Sequence, residues 1–199
     1  MKHFQLRNRK GQSLIEALVA LSLLMTALLG IETLLTRSFL LDRVTTDQTK
    51  ATYLASEGIE IMKSLLDHQV YDALANPGGV AGDPDTGGWN SFCNFTSGSN
   101  TYQVDWTTTS CPLPTSQSDA TPIKFDATTG PYGGLYGYND SAASPSAFTR
   151  IVKVTKIIDP ATGFNNEIDV QSTVTWNTGI MTGQSLTLED HFYNWNPGD

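Results

Sequence analysis

One uninterrupted apolar run limits what this chain can become. From Leu14 to Ile31, 18 residues, Glu16 is the only charge, and after it only Ser22, Thr26 and Gly30 interrupt the large or helix-favouring apolar side chains. As a helix the run is about 27 Å long, close to the hydrocarbon thickness of a bilayer. The first eleven residues of the chain hold Lys2, Arg7, Arg9 and Lys10 and no acid. A basic flank of that kind predicts a cytoplasmic N-terminus and translocation of the remainder.

Two ordinary readings account for part of this pattern. A cleavable secretory signal has a shorter apolar stretch and a small-x-small cleavage site behind it. The exit here is Glu32-Thr-Leu-Leu-Thr-Arg37, which offers no such site. A plain signal anchor explains the length and the basic flank. It accommodates Glu16 only by snorkelling, because a carboxylate in a membrane segment is disfavoured by up to about 3 kcal/mol.

A third reading accounts for all of it. Gly11-Gln-Ser-Leu-Ile-Glu16 ahead of an apolar helix resembles the cleavage motif of type IV prepilins, a Gly followed by four residues and a Glu. The resemblance implies a membrane peptidase that cuts after Gly11 and N-methylates the new terminus at Gln12, so that the apolar helix stays in the mature protein. It also implies that Glu16, now the fifth residue, meets the terminal amine of a neighbouring subunit. Pairing offsets the cost of each buried charge and sets axial register. The family usually begins its mature chain with Phe or Met, and this one begins with Gln12. An unmethylated terminal Gln can cyclise to a neutral lactam without that amine, so either methylation protects it or the subunit relies less on the ion pair.

Beyond Ile31 the apolar residues thin into a stripe. Ala51, Leu54, Ala55, Gly58, Ile59, Met62, Leu65 and Leu66 recur at the spacing of one helical face. No Pro occurs before residue 77, so a single helix is expected over 12–67, with 14–31 in membrane or filament core. Ala51 to Glu60 also resembles the corresponding helix of pilus-assembly pilins. Glu57, Glu60 and Asp67 read as its solvated face, since no His or Cys lies at ligand spacing.

The head is expected over 68–199. Its opening, Asn76 to Gly88, is rich in turn residues. Asp83-x-Asp85-x-Gly87 is similar to the start of a calcium loop but lacks the closing Glu. Alternation then predicts strands over Tyr102–Thr108, Ile168–Trp176 and Leu186–Phe192, and a β-branched run predicts another over Phe148–Ile158. Ile168–Trp176 and Leu186–Phe192 form a hairpin through Asn177–Gly183 with one face buried. The fold class is α+β: one long helix laid against an antiparallel sheet. Short head segments, Ala147–Val154, Val174–Trp176 and Leu188–Trp195, are similar to bacterial pilin-like proteins.

Charge and cysteine content fit an exported head. Behind the leader 1–11 the chain keeps eight of its 12 basic residues and all 20 acidic ones, a net −12. Such a body repels phosphates, so nucleic acid is disfavoured as a partner. Cys93 and Cys111, the only two cysteines, read as one disulfide in an oxidising compartment, with two free buried thiols as the alternative.

No catalytic motif is present: HExxH, GxSxG, a P-loop and CxxC are all missing. No enzyme activity, cofactor or metal is expected. The histidines are His3, His68 and His191. Tyr132, Tyr136 and Tyr138 read as a Gly/Tyr-rich loop packing on its own sheet. The resemblance implies a structural subunit, a minor pilin, of a type IV pilus or related pseudopilus. Its partners would be a prepilin peptidase, other pilins through the N-terminal helix, the pilus assembly platform and the membrane. The alternatives are a tip subunit that binds a surface or substrate through loops 76–100 and 112–147, a pseudopilin of a type II secretion or competence system, and, last, a membrane-anchored hydrolase.

Overall fold

The computed structural model describes residues 12–75, 89, 92–94, 98–131, 133–138, 143–161, 165–178 and 181–194. The leader, the 76–88 segment with its Asp83 and Asp85, and Tyr132 lie outside the described residues. The chain divides into two compact units, residues 1–46 and 47–199, with the division inside a helix, α1 (Gln12–Ala75).

In the first unit, α1 presents its apolar side chains on every side. Leu14, Ile15, Leu18, Leu24, Leu28 and Leu29 are each more than half exposed. The segment is long and apolar enough to cross a membrane.

In the second unit, α1 buries the stripe Ala51, Leu54, Ala55, Gly58, Ile59, Met62, Leu65 and Leu66, which is the face read from sequence. Each large member contributes about 1.5–3 kcal/mol by leaving water. The helix does not stop at Asp67 as expected but runs on to Ala75. Val70 packs on the core and Ala73 is buried, so the stripe continues for two more turns. Asn76-Pro77 follows in the sequence, and the residue before a proline is pushed out of the helical region.

The main sheet is antiparallel, in the order β1 (Gly98–Tyr102), β5 (Phe148–Ile158), β6 (Asn165–Thr178), β7 (Met181–Tyr193). Its inner face carries Phe148, Val152 and Val154 from β5 and Ile168, Val170, Val174 and Trp176 from β6, all buried. One cluster gathers Met62, Leu66, Val154 and Ile168 with Trp89, Phe92 and Phe192; a second gathers Ala51, Leu54 and Ala55 with Ile123, Phe148 and Trp176. The expected hairpin is present, but it turns more tightly than expected. β6 extends to Thr178 and β7 opens at Met181, with these two residues paired. Gly183 takes φ +72° and donates its N–H to Asn177 Oδ1 at 2.7 Å, next to the register shift between Trp176 and Thr178.

The strand expected over Tyr102–Thr108 is displaced. β1 pairs with β5 over 98–102 and ends at Tyr102. Asp105 ends the extended run by capturing the backbone ahead of it. Its Oδ1 accepts from Thr107 N at 3.0 Å and from Thr107 Oγ1 at 2.6 Å, and Thr108 N donates to Asp105 O at 2.9 Å. Aspartate competes with strand pairing in this way wherever its side chain reaches the next two residues. Segment 112–147, read as a loop, contains a small sheet in the order β3 (Tyr136–Gly137), β2 (Lys124–Phe125), β4 (Ser144–Pro145). There Tyr136 packs its ring on Phe125, with centroids 4.9 Å apart.

Candidate functional site

The N-terminal part of α1 is a transmembrane candidate whose Ser and Thr hydroxyls are bonded back to the helix. Within Leu14–Ile31, Ser22 Oγ donates to Val19 O at 2.8 Å and Thr26 Oγ1 to Leu23 O at 2.9 Å. Thr33 Oγ1 donates to Leu29 O and Thr36 Oγ1 to Glu32 O, both at 2.9 Å. Each hydroxyl that interrupts the apolar run is thus bonded back to the helix, as hydrocarbon requires of any polar group it surrounds.

Of the residues assigned to processing and assembly, Gly11 lies outside the described residues and Gln12 opens α1. Glu16 is exposed on the same helix, four residues on from Gln12 and therefore on the same side. Among the described residues Glu16 has no ion-pair partner.

In the head, Cys93 and Cys111 form a disulfide with Cα atoms 5.2 Å apart. Cys93 sits at φ 52°, ψ 24°, a left-handed conformation uncommon for any residue but glycine. A groove of about 350 Å³ opens beside the bond, lined by Leu65, His68, Asp72, Ser110 and both cysteines. At its rim His68 Nδ1 lies 3.1 Å from Asp72 Oδ2, an exposed pair one helical turn apart.

Two polar assemblies escaped the sequence reading. The first is internal. Arg150, on the inner face of β5, has no exposed surface and donates to Glu57 Oε2 at 2.9 Å, to Leu54 O at 2.8 Å, and to Val104 O. Glu57 is therefore not simply part of a solvated face. The available signal was Arg150 itself, a charge at an inward position of an alternating strand. Nearby, Tyr138 N donates to Asp105 Oδ2 at 2.7 Å. Burial pushes the Asp105 carboxyl up, but hydrogen bonds from Thr107, Tyr138 and Thr108 outweigh it and hold the group below its ordinary value. Lys156 is also buried on the inner face, and burial pulls its ammonium down to about 8.

The second assembly lies on the outer face of the β6–β7 hairpin. His191 stands opposite Asp169, with Glu189 opposite Gln171 and Glu167 opposite Tyr193. His191 Nδ1 is 2.5 Å from Glu167 Oε1 and its Nε2 is 3.1 Å from Glu189 Oε1. The hydrogen bond to Glu167 raises the imidazole pKa above its usual value. Burial, then the charge of Glu189, raises that of the Asp169 carboxyl. In the sequence the signal was faint: acids at 167, 169 and 189 and a histidine at 191, all on outward positions of two alternating strands.

Residues 6–31 match the family model of the prokaryotic N-terminal methylation motif. No curated protein and no solved structure matches the chain. The matched span contains Gly11, Gln12, Glu16 and the apolar run. The motif is characteristic of a structural family whose members are processed by a prepilin peptidase and assemble with other pilins. Together with the apolar helix it fits a membrane-anchored, pilus-forming protein. The chain thus carries a type IV prepilin-like N-terminus on an α+β, pilin-like architecture of one long apolar helix and an antiparallel sheet.

Proposed function

We propose that this protein is a prepilin, cut after Gly11, N-methylated at Gln12, and built as a minor subunit into a type IV pilus or related pseudopilus. Residues 1–11 are the leader, and the apolar part of α1 first holds the chain in the membrane and then packs in the filament core. The head stands outside the cytoplasm, in the oxidising compartment that its disulfide suits. Glu16 meets the N-terminal amine of a neighbouring subunit and sets register; among the described residues it forms no ion pair within its own chain.

The observation that carries this reading is the methylation motif set directly against an apolar helix whose side chains are exposed among the described residues. An exposed apolar surface of that size needs lipid or other helices around it. The 199-residue length and the large head favour a minor subunit or pseudopilin over the main filament protein.

The test is intact-mass and N-terminal peptide mass spectrometry on membranes from cells with and without a prepilin peptidase. A chain beginning at methylated Gln12, retaining Leu14–Ile31 and appearing only with the peptidase, is the expected result. A chain beginning at Met1 in both strains would overturn the proposal and leave a signal-anchored ectodomain.

A further inference from the structure

The outer face of the hairpin holds a constellation that the proposed function does not use. One ligand atom from each of Asp169, Glu189 and His191 lies within 4.8 Å of the other two. Asp169 on β6 faces His191 on β7, and Glu189 lies two residues before His191, diagonal to Asp169, so the ladder itself holds them together.

Two further observations separate this group from an ordinary acidic surface. Asp169 is nine-tenths buried; its Oδ2 accepts from Gln171 Nε2 at 3.2 Å, but its Oδ1 is buried with no hydrogen-bond partner among the described residues. A buried carboxylate oxygen left without a donor is costly, and a bound cation would offset that cost. The imidazole is also oriented as in a metal site. Glu167 takes the Nδ1 side at 2.5 Å and leaves Nε2 turned toward Glu189. A carboxylate on the far ring nitrogen fixes the tautomer and orientation of metal-ligating histidines.

We propose that Asp169, Glu189 and His191 bind one divalent transition-metal ion, with Glu167 as the positioning carboxylate behind the imidazole. One imidazole nitrogen and two carboxylates suit Zn²⁺, whose fourth position would be held by water. Ca²⁺ and Mg²⁺ are poorer fits, because both call for more oxygen ligands and neither favours imidazole. Tetrahedral Zn²⁺ needs ligand atoms about 3.4 Å apart, so the group must contract slightly. Glu189 and His191 are exposed and can do this by side-chain rotation. The bound ion would fasten β7, the long edge strand, to β6. The proposal is independent of the prepilin reading.

The experiment uses the full chain in detergent, stripped with chelator and titrated with ZnCl₂ at pH 7.5 by calorimetry, with bound metal counted by elemental analysis. CaCl₂ and MgCl₂ serve as comparators. One Zn²⁺ per chain, bound in the micromolar range and raising Tm, is expected. His191→Gln and Asp169→Asn should weaken binding by about tenfold or more, and Glu167→Gln by about tenfold. His68→Gln should bind as the wild type does, which separates this site from the His68–Asp72 pair. The three outer-face variants stay folded by far-ultraviolet circular dichroism if the changes are local. Absence of saturable Zn²⁺ binding by the wild-type chain, or full binding retained in folded His191→Gln, would overturn the proposal.

Discussion

Arg150 ties the sheet to α1 through Glu57: the guanidinium is wholly buried, and its Nη1 lies 2.9 Å from Glu57 Oε2 and 2.8 Å from Leu54 O. Removing one partner of such a pair leaves a charge in the core, which costs more than the pair contributed. Glu57 keeps a third of its side chain exposed, so water can partly replace it. Glu57→Gln is expected to lower unfolding free energy by about 1–2 kcal/mol. Arg150→Ala also leaves a cavity and the Val104 and Leu54 carbonyls without this donor, and should cost about 3–5 kcal/mol. Urea denaturation of both variants checks the order.

Gly58 permits the close approach of α1 to the sheet. A Cβ at this position would stand 2.6 Å from Ser172 Oγ, 3.0 Å from Val152 Cγ2 and 3.2 Å from Arg150 Cδ. Helix propensity alone favours Gly58→Ala by about 1 kcal/mol, but the overlap should reverse the sign and destabilise by about 1–3 kcal/mol. Ser172 Oγ is buried without a hydrogen bond among the described residues, so Ser172→Ala is expected to lie within about 1 kcal/mol of wild type. The double variant should recover part of the loss, and a double-mutant cycle measures that coupling.

The Cys93–Cys111 bond closes a loop with a sequence separation of 18 residues. Loop-closure entropy assigns it about 3 kcal/mol. Replacing both cysteines with serine should lower stability by about that amount. Comparing the melting of oxidised and reduced wild type checks the same quantity without mutation.

Lys156 makes stability depend on alkaline pH. Its folded pKa is lowered from 10.5 to about 8 by burial, so the unfolded chain binds more protons between those values. Stability therefore rises as pH climbs from about 8 and is lost as pH falls back through that value. Burial raises the Tyr102 and Tyr138 phenols above 10, so they act in the opposite sense only above that value. Urea midpoints between pH 7 and 10 should rise for the wild type and stay flatter for Lys156→Met.

What the sequence determined by itself was whatever depends on neighbours along the chain. The membrane-length helix follows from consecutive apolar residues, and its buried continuation from the spacing of Ala51 to Leu66. The hairpin faces follow from strict alternation at Ile168–Trp176 and Leu186–Phe192. The motif at Gly11–Glu16 is equally local, because a peptidase reads it from a linear segment.

Tertiary structure decided what depends on register between distant segments. Nothing near Glu57 in sequence announces Arg150, which is 93 positions away. The early end of β1 required Asp105 to meet Tyr138 as well as its own turn. The group of Glu167, Asp169, Glu189 and His191 exists only because Asp169 pairs with His191. A slip of one residue in that ladder would carry the charges of one strand to the inner face. Burial of the inner face fixes the register, and the register brings the four outward side chains together.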